Sequence, residues 1–214
     1  MLLDFIFPKY SLRDTEGEWI TESEIPYLKS YPHIFEKSSL RSMGIKNIDR
    51  LFSAGSYRDC PLMRKAISTF KYKRIPGLSM SLQKILSDAL NKSFSMRGNA
   101  CVCPVPLHFT RLFHRGFNQA EILASRVSED FEIPMERMLR RCRPTGNQTR
   151  RNKEKRWKAM QNAFRLNRGF AEDLPYCVYL VDDLFTTGAT MEECAKVLKN
   201  AGVIKVEGIV LACA

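Results

Sequence analysis

The sequence predicts an α/β protein, a mostly parallel sheet with helices on both faces, and three observations carry that expectation. Two short apolar runs, Ala100 to Val105 and Tyr176 to Val181, have the composition of strands buried on both faces, as parallel strands are. Around them lie segments with apolar residues three and four apart, the period of amphipathic helices. The run from Tyr176 leads straight into two acids and a hydroxyl-rich turn that opens a helix. Open α/β sheets hold their ligands at such a place, beyond the carboxyl ends of the strands.

Residues 1–52 show no clear period. Phe5, Ile6, Phe7 and Pro8 make an apolar knot, and Pro26 and Pro32 interrupt the chain after it. This part reads as a small arm docked on a domain spanning 53–214. Cys60 to Tyr72 places Leu62, Met63, Ala66, Ile67 and Phe70 at helical spacing, and Leu78 to Phe94 repeats the pattern. After the strand at Ala100, residues Arg111, His114 and Arg115 read as a turn, followed by a helix with Phe117, Ala120, Ala124 and Val127 on one face. Met138 to Arg168 is the most basic stretch, with a loop at Pro144, Gly146 and Asn147 and a helix expected from Lys153 to Phe164. Thr190 to Ala201 is a helix with Glu192 and Glu193 in its first turn, Lys196 and Lys199 near its end and Gly202 as its stop. Val203 to Ala212 is the last strand.

The 214 residues carry a net charge of +11, with a pI near 9.4, a balance that favours polyanionic partners. No apolar run approaches the roughly 20 residues of a transmembrane helix. The N-terminus, with Asp4 and no basic flank, is not a signal peptide. Seven scattered cysteines, an odd number, suggest reduced thiols. The expected location is the cytoplasm, including the inner face of the membrane. Cys101 and Cys103 share a strand face, but no second Cys/His pair stands at zinc-ligand spacing. His108 and His114 read as surface or capping residues.

The chemistry concentrates at Asp182-Asp183 and Thr186-Thr187-Gly188-Ala189-Thr190. Backbone N–H groups and hydroxyls at a helix N-terminus make an anion cradle, and Gly188 lets the backbone come close. The acids would repel phosphate, but they suit sugar hydroxyls or a bound Mg²⁺. Acids beside an anion cradle describe a ribose 5-phosphate. The plainer alternative is that the acids end a strand and a Thr caps a helix. Arg111 and Arg115, beyond a strand end, are placed for pyrophosphate oxygens.

The acid pair and the TTGAT loop resemble the motif with which type I phosphoribosyltransferases bind phosphoribosyl pyrophosphate (PRPP). That resemblance implies that Asp182 and Asp183 hold the ribose 2′- and 3′-hydroxyls at the catalytic centre, that Thr186, Thr187, Gly188, Ala189 and Thr190 cradle the 5-phosphate, and that Mg²⁺ accompanies PRPP. Pro104 to His108, Arg111 and Arg115 to Ala120 resemble the ComF branch of phosphoribosyltransferase-like proteins, as do Tyr57 and Phe70-Lys71-Tyr72. The basic stretch resembles the loop that closes over PRPP in this fold. Gln148, Thr149 and Arg156 match the ComF pattern, whereas Ala159 stands where Asn is usual and Asn162 where Gly is usual.

ComF-like chains usually carry an N-terminal four-cysteine zinc ribbon. Residues 1–59 contain no Cys, so the arm resembles a ribbon stripped of its ligands, and no structural zinc is expected. Little sequence comes after the last strand, so a base-stacking hood would have to come from the arm. The resemblance implies binding of PRPP with Mg²⁺ and of single-stranded DNA, in the company of DNA-uptake proteins during natural transformation. Arg150, Arg151, Lys153, Lys155, Arg156, Trp157 and Lys158 are the candidate DNA contacts, with Trp157 offering a stacking face. The other reading of that stretch is a solvated loop with Trp157 tucked into the core. Two further readings of the motif are an active transferase with an unidentified acceptor and a PRPP-sensing regulator without catalysis.

Overall fold

In the computed structural model the described residues are 12, 19–28, 32–73, 75–96, 98–144, 153–170 and 174–214, with Lys153 described by its backbone alone. The apolar knot at Phe5 to Pro8, together with Arg150 and Arg151, lies outside them.

The predicted α/β architecture is what the chain adopts. Its helices are α1 (Ile25–Leu28), α2 (Lys37–Ser42), α3 (Pro61–Tyr72), α4 (Pro76–Ser93), α5 (Phe109–Arg115), α6 (Gln119–Phe131), α7 (Lys153–Met160) and α8 (Ala189–Ala201). The main sheet combines β1 (His33–Glu36), β2 (Arg50–Ser56), β3 (Ala100–Pro104), β6 (Cys177–Phe185) and β7 (Lys205–Cys213) in the order β1-β2-β7-β6-β3. All its pairings are parallel except β1 with β2. A separate antiparallel pair joins β4 (Leu139–Arg141) to β5 (Phe164–Leu166).

The apolar runs alternate between two cores. Cys177, Tyr179 and Val181 of β6 enter the core that also contains Phe70 of α3, Leu86 of α4 and Leu123 of α6. Val178 and Leu180 enter the other, with Cys194 and Leu198 of α8 and Phe164 of β5. A strand buried on both faces needs apolar side chains at every position, hence the unbroken run in the sequence. Cys101 and Cys103 lie on one face, buried in the second core. Burial pushes both thiols up, Cys101 beyond the range in which thiols ordinarily titrate and Cys103 to about 12. All seven cysteines are free thiols.

Several elements differ from the sequence reading, among them β1, β2, α2 and α5, and the helix expected from Lys153 to Phe164 stops at Met160, with Phe164 opening β5. Residues 33–42 show no period, yet they form β1 and α2. Four residues with one face against β2 are too few to print an alternation. Arg111, His114 and Arg115 belong to the helix α5 rather than to a turn. None of its residues is buried, so its apolar residues Phe109, Leu112 and Phe113 pack on no core; His108 caps it, accepting from the Thr110 N–H.

The ladder lengths position the site. β3 pairs with β6 only as far as Pro104 opposite Val181, whereas β6 continues alongside β7 to Phe185 opposite Cys213. Asp182 to Leu184 therefore flank a gap where β3 has left the sheet. The outer edge of β3 is covered by Pro134 to Glu136, with Val102 N–H bonded to Pro134 O at 2.9 Å.

Candidate functional site

That gap opens into a cleft of about 400 Å³. Its walls bring together Asp182, Asp183, Thr186 and Thr190 with Arg111 and Arg115, residues that the sequence singled out, and add Lys71, Tyr72, Arg141 and Arg156. A smaller recess of about 20 Å³ lies within the loop itself, lined by Thr186, Thr187, Gly188, Ala189 and Thr190.

The acids end up side by side because β6 does not stop at Val181, as the apolar run suggests, but carries both of them. The Asp183 N–H donates to Asp182 Oδ1 at 2.8 Å. Burial and the neighbouring Asp183 push the Asp182 carboxyl up to about 7, against the opposing pull of Lys71 and Arg141. Asp183 is 6% exposed, and its Oδ2 makes no hydrogen bond. The Lys71 ammonium lies 3.2 Å from that oxygen, an ion contact outside hydrogen-bond geometry.

Lys71 stands at the end of α3, fixed there by Gln119, whose amide donates to the carbonyls of Phe70 and Lys71. Gln119 in turn accepts from Arg115 at 3.0 Å. Asn118 caps α6 and donates to Val105 O at 3.2 Å, tying the start of that helix to the end of β3. The Arg-Gly-Phe-Asn-Gln string is thus the bracket that sets one cleft wall.

The cations crowd one another. Burial and Arg115 lower the Arg111 pKa; burial and Arg111 lower that of Arg141 to about 10. Guanidinium groups held together out of water are penalised until an anion joins them. Arg156, from α7, reaches the opposite side and donates to Thr186 Oγ1 at 3.4 Å.

Gly188 begins α8 at φ +77°, and a Cβ there would strike Ile45 Cδ1 and lie 2.7 Å from Phe185 Cζ. Ile45 is held in place by Glu192, which accepts from the N–H groups of Lys46 and Asn47 and from the Asn47 side chain at 2.7–3.1 Å. Glu192 therefore props the anion loop from behind as well as facing the helix dipole.

Of the candidate DNA contacts, Arg156 faces the cleft and Lys155 and Lys158 are not buried. Trp157 is half-buried against the second core, which leaves only part of its ring available. Lys71, Tyr72 and Arg141 were absent from the sequence-predicted site. Phe70-Lys71-Tyr72 is noticeable only as a family string, and Arg141 is hidden among eleven basic residues of its stretch. Asn162, standing where the family usually has Gly, adopts φ +55°, and its N–H donates to Glu193 Oε1 at 2.7 Å. Asn tolerates this left-handed conformation better than most residues, so the turn after α7 keeps the geometry a glycine would give.

Fold and cleft together define the class, an α/β protein with a mostly parallel sheet and a candidate site at the carboxyl ends of β3 and β6. No family model matches the chain. Among curated proteins it is similar to competence protein F of Haemophilus influenzae, 30% identical over 146 residues, covering 66% of this chain and 63% of that protein. It is similar to competence protein ComFC of Bacillus subtilis, 28% identical over 152 residues, covering 70% and 58%. It is also similar to DNA utilization protein YhgH of Escherichia coli, 28% identical over 167 residues, covering 74% and 69%. The matched stretch is less than two thirds of the first two relatives. The glutamine PRPP amidotransferase of B. subtilis aligns at 18% identity and a TM-score of 0.45, over 68% of this chain and 30% of that one. The chain is a homologue of the competence proteins F and ComFC and of YhgH, the relationship expected from its Pro104–Ala120 string.

Proposed function

We propose that the cleft binds PRPP with Mg²⁺ and that the chain serves DNA uptake by also binding single-stranded DNA. The observation that supports PRPP most directly is the division of charge within one cleft. An acid pair, Asp183 buried and Asp182 half-buried, stands at the end of β6, a hydroxyl-lined anion loop comes next, and guanidinium groups face it from α5 and β4. A sugar bearing a phosphate at one end and a pyrophosphate at the other matches that division.

The residues fit the implied metal. Asp183 Oδ2 is a buried oxygen with no hydrogen bond, and Asp182 lies beside it, so the two would hold a Mg²⁺ brought with the ligand. Bound there, the metal would neutralise the pyrophosphate charge. The chain's own groups do the rest. The Thr186–Thr190 backbone and hydroxyls orient the 5-phosphate, Arg111 and Arg115 orient the pyrophosphate, and the acids accept from the ribose hydroxyls. Calorimetry with PRPP and Mg²⁺ tests this. Heat in the wild type and none in Asp182→Asn/Asp183→Asn is expected; equal heats would overturn it.

The DNA reading draws support from the net charge of +11 and from the names of the relatives, competence and DNA utilization proteins. A protein that neutralises several phosphates loses affinity steeply with salt. Titration of labelled single-stranded DNA at several salt concentrations is expected to give a steep negative slope of log K against log salt. No binding at low salt would sink the reading.

A further inference from the structure

Helix α5 has an unusual division of faces. Arg111 and Arg115, four residues apart, line the cleft. Phe109, Leu112 and Phe113, three and four apart, point elsewhere and are 72%, 43% and 86% exposed. Seven residues with no buried side chain, two of them phenylalanines facing water, do not repay their exposure through packing within the chain. Tyr72, 73% exposed at the mouth of the cleft, lies on the other side of α5, with the Arg115 guanidinium 5.6 Å from its ring centroid. Three of the eight large apolar side chains exposed among the described residues thus share one short helix.

The surroundings are cationic. No Asp or Glu occurs between Asp88 and Glu121, a stretch that includes Arg111, His114 and Arg115, while Lys71 and Lys73 flank Tyr72. Exposed rings beside cations are what a single strand requires: faces on which bases stack and charges that track its phosphates. An apolar protein partner would use the rings but has no use for that charge.

We infer that the ridge formed by Phe109 and Phe113 on α5 is a stacking platform for the bases of single-stranded DNA. The strand runs along α5 beside the cleft, its phosphates drawn by the cations of that helix. The inference rests on the proposed DNA binding and moves its aromatic contact from half-buried Trp157 to α5.

The test uses two labelled 20-mers, oligo-dT and an abasic strand with the same phosphates, titrated against the wild type, Phe109→Ala/Phe113→Ala and Phe113→Leu. Neither Phe lines the cleft, so the heat with PRPP and Mg²⁺ serves as a check that each variant is folded. The expected wild-type result is tighter binding of oligo-dT than of the abasic strand. The double variant should lose about five- to a hundredfold per ring on oligo-dT, with the salt slope and abasic binding unchanged. Phe113→Leu, apolar but without a ring face, should lose about the share of one ring, five- to a hundredfold. Wild-type binding with the base preference intact in the Phe variants overturns the ridge and leaves DNA binding standing. Equal wild-type affinity for both strands overturns stacking. Failure of the wild type to bind either strand removes the DNA reading and this inference with it.

Discussion

Lys71 Nζ approaches Asp183 Oδ2 to 3.2 Å, so the buried acid of β6 is faced by an ammonium from the end of α3. The contact couples a helix bracketed by Gln119 to the strand that carries the acids. A buried carboxylate is costly to leave without a cation.

Lys71→Met should therefore destabilise the protein. The full cost of breaking a buried pair is discounted because Lys71 is 23% exposed, leaving about 1–3 kcal/mol. Thermal melts should show the loss, and millimolar Mg²⁺ should restore part of it in the variant while changing the wild type less. An unchanged melting temperature would mean that the ammonium does nothing for the acids.

Asp182 should make stability and binding depend on pH in opposite ways. Its carboxyl rises from 3.8 to about 7 in the folded protein because of burial and Asp183. Between those values the folded state holds a proton that the unfolded state has lost. This residue's contribution to stability is therefore fully present below about pH 4 and declines as pH rises toward 7. Asp182→Asn should remove that decline, a gain of about 1–3 kcal/mol at pH 8 relative to pH 4.5 in denaturant titrations of the two proteins. Affinity for PRPP with Mg²⁺ should move the other way in the wild type, rising from pH 6 to pH 8 as the carboxylate forms. A wild-type profile parallel to that of Asp182→Asn would rule the residue out.

β3, β6 and β7 were legible in the sequence because strands buried on both faces leave largely apolar runs, whereas β2, broken by Ser53, Gly55 and Ser56, was not; α3, α4, α6 and α8 were legible because each buries a stripe. The acid pair and the anion loop were legible because they are contiguous. The other cleft wall was not. Lys71 reaches Asp183 only because α3 ends where the Gln119 amide meets its last carbonyls, and Arg141 reaches the cleft from a three-residue strand whose partner is more than twenty residues away. Trp157 is a choice the sequence leaves open: beside Lys155, Arg156 and Lys158 it reads either as a stacking residue or as a side chain tucked into the core, and the structure half-buries it against the second core. Helix α5 reads as a turn in the sequence because its 7 residues are too few for Phe109, Leu112 and Phe113 to establish a period.

Gly188 is the position where the anion loop tolerates no side chain. Gly188→Ala would combine a positive φ with collisions against Ile45 and Phe185. About 2–4 kcal/mol of stability should be lost, together with the PRPP heat, since the loop must back away from Ile45 to make room. Ile45→Ala in the same chain should recover part of the stability and little of the binding. The collision with Phe185 and the strained φ remain, and the loop loses its prop. Full recovery of PRPP affinity in the double variant would show that the loop's position is not set by this contact.

Asn162 connects α7 to the site through the turn at the end of that helix. Its φ of +55° suits Asn or Gly, and its N–H is anchored to Glu193 on α8. Asn162→Gly should leave stability within about 0.5 kcal/mol and PRPP binding unchanged, because glycine adopts the same conformation without strain. Asn162→Val should cost about 1–2 kcal/mol, since a branched side chain resists that φ. The strained turn would also release the Glu193 bond and let α7 shift, moving Arg156 away from Thr186, its partner at 3.4 Å. PRPP affinity should fall in Asn162→Val and be spared in Asn162→Gly. Calorimetry on the pair decides the matter, and equal affinity in both would separate the turn from the cleft.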